Sequence, residues 1–152
     1  MRDITTGVQI VLAQHCNGYA IPRLFGGQLM SWIDVVGAVA ARRFTKKAVT
    51  TVSIDNLHFL KPAYLNDIVV QKAWVTWTGN TSLEVRVDSF LEEDGHMELI
   101  NKAYVVYVAL DENERPSKVP EYIPETEEEQ AEYADAVERK VARLYAASLI
   151  KE

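Results

Sequence analysis

Apolar side chains fill almost every position from Leu29 to Ala41, whichever face of a helix they would fall on. That pattern predicts a helix over residues 28–44 that is buried all round. One carboxylate, Asp34, stands in its middle, and an ionised acid among apolar neighbours is costly unless it is paired or faces a cleft. Gly26 and Gly27 precede the helix, and without side chains they leave its first backbone N–H groups open to a ligand oxygen. Arg42, Arg43, Lys46 and Lys47 crowd the far end, where the helix dipole favours cations. A donor pocket at a helix start, with an acid a few turns along, points to a site rather than a scaffold.

Beyond the helix the period changes to two. Residues 49–60 put Val52 and Ile54 on one face and then Leu57 and Phe59 on the other, a phase slip near Asp55 and Asn56 that predicts a bulge or strong bend. Residues 68–77 are rich in β-branched and aromatic side chains, and Gly79-Asn80 marks a hairpin. Leu83, Val85 and Val87 then alternate with Glu84, Arg86 and Asp88. Asp94-Gly95 marks a second hairpin, and residues 97–110 form the last long strand. The result is an antiparallel meander with the 49–60 strand beside it; residues 7–13 add a short first strand. One buried helix and one curved antiparallel sheet pack most simply when the sheet wraps the helix. The flank left open then needs a second copy of the chain.

The tail reads differently. Thr126 and Glu129 match a capping box, after which Ala134, Val137, Val141, Leu144 and Ser148 recur at helical spacing. An amphipathic helix is predicted there, packing on its own domain or on a partner.

Composition narrows the picture. The 152 residues suit one domain, 1–122, with residues 123–152 as its helical extension. A net charge of −6 argues against a general binder of nucleic acid or of an anionic membrane. Cys16 is the only cysteine, so a reducing, cytoplasmic setting is expected, and no signal peptide or membrane span is legible. His15, Cys16, His58 and His96 show no metal-ligand spacing, so neither a metal nor a redox cofactor is expected. Trp32, Trp74 and Trp77 are read as packing residues.

Several short motifs occur in order. Phe25-Gly26-Gly27-Gln28-Leu29-Met30 is followed by Asp34, then Ala40-Ala41-Arg42, Val49-Thr50, Asp55, Phe59 with Pro62, Asn66-Asp67, Gly79-Asn80-Thr81-Ser82 and Val108-Ala109-Leu110-Asp111. From about Val8 to Pro120 this series resembles the hotdog-fold acyl-CoA thioesterases. The resemblance implies an α+β hotdog fold, a curved antiparallel sheet wrapped around a central helix. It also implies a homodimer at minimum, often a tetramer or hexamer, with sites at the dimer interface, and hydrolysis of acyl-CoA to a free acid and CoA-SH. Coenzyme A would enter only as part of substrate and product. Asp34 occupies the position of the family's catalytic carboxylate, and Asn17, in the loop before the glycines, matches a second residue the family often uses. That loop is about two residues longer here, with Ile21-Pro22 inserted, and Asn80 replaces the family's arginine.

In this reading Asp34 activates a water, or attacks directly as a nucleophile, and the Gly27 and Gln28 N–H groups polarise the carbonyl. Gly26, Gly79, Asn80, Thr81 and Ser82 are the candidate substrate contacts. Each has a plainer alternative: a structural acid, glycines that permit close packing, hydroxyls that bond their own turn. A non-catalytic acyl-CoA-binding or sensor module on the same fold is the competing function, and a hotdog dehydratase is disfavoured because its usual Asp/His pairing is missing.

Overall fold

The computed structural model describes residues 2–55 and 57–150. Five strands form one antiparallel sheet: β1 (Thr5–Ile10), β2 (Ala48–Asp55), β3 (Ile68–Thr78), β4 (Ser82–Glu93) and β5 (His96–Leu110), ordered β1-β3-β4-β5-β2 across it. Helix α1 (Gly26–Thr45) lies in the concave face, and helix α2 (Glu127–Ile150) covers part of the convex face. This is the expected arrangement of sheet around helix. Strict alternation explains it: Leu83, Val85 and Val87 of β4 and Ala103, Val105, Tyr107 and Ala109 of β5 pack inward on Leu29, Ile33, Val36 and Ala40 of α1. Helix α1 ends on Lys46 in the left-handed region, whose N–H caps the Arg42 carbonyl at 2.8 Å.

Three local expectations shift. The first strand covers Thr5–Ile10 instead of 7–13. It stops because Asn66 donates its N–H to the Val11 carbonyl and Val11 donates to Asp67, which turns the chain into a short 3-10 turn over Ala13–His15. The β2 irregularity falls between Thr51 and Ser53, ahead of the expected Asp55-Asn56; Asn56 lies outside the described residues. An edge strand accommodates an unpaired residue there at little cost.

The third difference is in α2. Its capping box forms as expected: Glu129 N–H donates to Thr126 Oγ1 at 3.1 Å, and Glu129 Oε2 accepts from the amides of Thr126 and Glu125. The stripe Val137, Val141 and Leu144 does not pack on its own domain: within one chain it faces outward, with Val141 63% and Leu144 62% exposed, which leaves a partner as the expected surface for it. The convex face of the sheet is charged, through Glu84, Arg86 and Asp88, and α2 answers with charge. Arg139 pairs with Glu84, Arg143 with Glu84 and Asp55, and Glu132 with Arg86 and Arg2. Arg139 also lies 3.6 Å from the Tyr104 ring centre, and Arg2 and Arg86 stack on Trp74.

Candidate active site

The chain enters α1 through a loop closed at its neck, where Asn17 N–H donates to Arg23 O at 3.0 Å and Phe25 N–H to His15 O at 2.8 Å. Among the described residues no side chain caps the helix, and no acid occupies its first turn. Its opening amides therefore keep the partial positive charge of a helix N-terminus. Gln28 differs from expectation: its N–H already donates to the Phe25 carbonyl at 2.9 Å, so Gly26 and Gly27 carry the open donors. The glycines also make room for rings. A methyl on Gly27 would run into the Phe25 ring, and one on Gly26 would stand 3.3 Å from Phe59. Beside them lies a cavity of about 300 Å³ lined by Arg23, Leu29, Lys61 and Ile100.

Asp34 sits two turns further along α1, half-buried, on the flank that the sheet leaves open. Thr51 of β2 donates its hydroxyl to Asp34 Oδ1 at 2.6 Å. Tyr107 of β5 donates to the Asp34 carbonyl oxygen at 2.8 Å and lies 3.3 Å from Oδ1. Burial, reinforced by the Asp34 charge, pushes the Tyr107 phenol above its ordinary range, so it remains a proton donor. Oδ2 has no hydrogen-bond partner among the described residues. One carboxylate oxygen is thus held and the other is available to a water. Met30, Val35 and Val39 are exposed on the same helix and form an apolar flank.

The other candidates lie apart. Asn17 is at the loop neck with its Oδ1 buried and unpartnered. Gly79 to Ser82 form the β3–β4 turn, in register with Val108, whereas the first turn of α1 lies beside Ile100, at the other end of β5. Within one chain these two groups are separated by most of the sheet. The turn's backbone is already engaged within the chain: Gly79 N–H donates to Ser82 O, and the Thr81 and Asn80 carbonyls accept from Ala109 and Val119. Gly79 also gives way to the Trp77 ring. Among the terminal cations, Lys47 Nζ bonds Ser117 Oγ and the Lys118 carbonyl, both at 2.7 Å. Sequence reasoning missed Thr51, Tyr107 and Gly37, since each matters only through a contact far along the chain. Among the described residues no helix is long and apolar enough to cross a membrane.

A curved antiparallel sheet wrapped around a central helix defines the hotdog class of fold. Residues 22–98 match the thioesterase superfamily. The chain belongs to that superfamily and is a thioester hydrolase. It is 42% identical to the uncharacterized acyl-CoA thioester hydrolase YkhA of Bacillus subtilis over 118 residues, 76% of this chain and 69% of that protein. It is similar to an acyl-CoA hydrolase from Staphylococcus aureus solved with butyryl coenzyme A, coenzyme A and coenzyme A disulfide: TM-score 0.82, 30% identity, 97% of this chain and 93% of that one. Alanine variants of that enzyme at an asparagine, an aspartate and a threonine have also been solved. A hexameric acyl-CoA thioesterase gives TM-score 0.85 at 32% identity, covering 96% and 94%.

Proposed function

We propose that the protein hydrolyses acyl-CoA thioesters with Asp34 as general base. Asp34 Oδ2 takes a proton from water as the water oxygen bonds to the thioester carbonyl carbon. The displaced electron pair moves onto the carbonyl oxygen, where first-turn amides of α1, led by Gly27, receive it. Collapse of the tetrahedral intermediate breaks the C–S bond, and the proton held on Asp34 passes to the departing sulfur, which releases the acid and CoA-SH and restores the carboxylate. The chemistry requires no metal and no redox step.

The observation that carries this reading is the carboxylate itself, with Oδ1 fixed by Thr51 and Tyr107 and Oδ2 open. Spacing in the Staphylococcus enzyme supports it. The aspartate and threonine replaced there are seventeen positions apart, as are Asp34 and Thr51. Its asparagine precedes the aspartate by two positions fewer than Asn17 precedes Asp34, which the extra Ile21-Pro22 accounts for.

Asp34 lies about 10 Å along α1 from Gly27, because a helix rises ~1.5 Å per residue. A base and an oxyanion donor must both reach one carbonyl within about 3 Å. Asp34 therefore works with the first-turn amides of a second copy, in a homodimer at minimum. The hexameric relative supports a further assembly of such dimers. In the assembly Asn17 is the second catalytic candidate, and Gly26 and the Gly79–Ser82 turn are the substrate-contact candidates, Thr81 and Ser82 offering hydroxyls to the CoA chain or its phosphates. The reducing interior of a cell is the proposed setting.

Thiol release from a panel of acyl-CoAs tests the reading. Native protein turns over, and Asp34→Asn keeps its fold and its CoA binding but loses turnover. Native-like turnover by Asp34→Asn would falsify the base. Tight CoA binding with no thiol release from any acyl-CoA would favour the binding module instead.

A further inference from the structure

Tyr107 crosses from β5 into the backbone of α1. Its side chain is fully buried, and its hydroxyl meets the Asp34 carbonyl oxygen and Oδ1 together. That approach needs a gap in the helix surface, and Gly37 supplies it. A methyl on Gly37 would overlap the Tyr107 hydroxyl oxygen, whereas it would stand 3.3 Å from Cζ and 3.4 Å from Cε2 of the ring. Gly37 is not among the residues with positive φ, so its backbone asks for no glycine. Glycine is also a poor residue in mid-helix. What is used is the missing Cβ.

We infer that Gly37 and Tyr107 act together as a positioning pair for Asp34: the glycine opens a notch in α1, and the tyrosine hydroxyl seated there fixes the carboxylate so that Oδ2 faces the thioester. The inference rests on Asp34 being the base. A purely structural tether between α1 and β5 would affect folding and substrate binding as much as turnover. A positioning pair affects kcat alone, because it orients a group that acts only on the reacting carbonyl. The two residues should also be strongly coupled, since Gly37 matters only while there is a hydroxyl to admit.

The test uses the full protein with butyryl-CoA as substrate, comparing Asp34→Asn, Tyr107→Phe, Gly37→Ala and the double variant Gly37→Ala/Tyr107→Phe. Rates are normalised to folded protein. Tyr107→Phe is expected to lower kcat about tenfold with KM unchanged. Gly37→Ala lowers it at least as much, because it expels the hydroxyl. The double variant matches Tyr107→Phe, the ring yielding the few tenths of an ångström that the new methyl asks. Native kcat in Tyr107→Phe overturns the inference, and so do losses that multiply in the double variant, or a loss that disappears on normalisation. Should Gly37→Ala fail to fold, the kcat-against-KM split of Tyr107→Phe decides. Turnover retained by Asp34→Asn overturns the base as well; Asp34→Asn inactive beside a native-like Tyr107→Phe overturns only the positioning role.

Discussion

Arg139 is the residue whose removal tells most about how α2 is held. It donates to both oxygens of Glu84, at 2.7 and 3.0 Å, and Glu84 has no exposure to solvent. In the variant Arg139→Ala that carboxylate keeps, among the described residues, the Thr76 hydroxyl at 2.6 Å and Arg143 at 3.3 Å. Stranding a buried charge costs about 3–5 kcal/mol. The surviving Arg143 contact, with Arg139 itself 22% exposed, brings the charge part to the lower end of that range. The lost stacking on Tyr104 at 3.6 Å adds about 1 kcal/mol. Together these give about 3–4 kcal/mol, or roughly 6–16 °C in Tm for a chain of this size.

The assay is urea and thermal unfolding at fixed protomer concentration, because assembly contributes to apparent stability. A second variant separates charge from packing. Glu84→Gln/Arg139→Met removes both charges and keeps an acceptor for Thr76, so it should recover most of the loss. Lys61→Ala, which breaks an ion pair about half-exposed on both sides, serves as the control and should change nothing measurable. The reasoning is refuted if Arg139→Ala unfolds like the native protein, or if the double variant is as unstable as the single one.

Two further outcomes are expected. The Tyr122 phenol is pushed up to about 12 by burial and by the nearby Glu129 and Glu132 charges. The unfolded chain therefore gives up that proton first, and stability falls as pH rises from about 10 toward 12. Tyr122→Phe flattens that fall by one proton's worth, and an unchanged slope in alkaline unfolding would contradict the assignment. Thr51→Val keeps a β-branched residue in β2 but removes the 2.6 Å donor to Asp34. Its kcat for acyl-CoA should drop about tenfold with little change in KM, and a native kcat would show that Thr51 does not help hold the base.

Period and punctuation along the chain were enough for the elements, because burial on one face leaves its mark residue by residue. The all-apolar helix with Asp34 in it, the meander turns at Gly79 and Asp94, and the capping box at Thr126 were all readable locally. So was the conclusion that one sheet leaves a flank of the helix uncovered. The tertiary structure decided what depends on contacts far apart in sequence. It turned the apolar stripe of α2 outward, because the surface beneath that helix carries Glu84 and Arg86 and only opposite charge can answer them. It also gave Asp34 its partners, Thr51 and Tyr107, which lie 17 and 73 residues away along the chain. A carboxylate's place on a helix follows from local pattern. Which hydroxyls hold it, and which glycine lets one of them in, follow only once the sheet has closed around the helix.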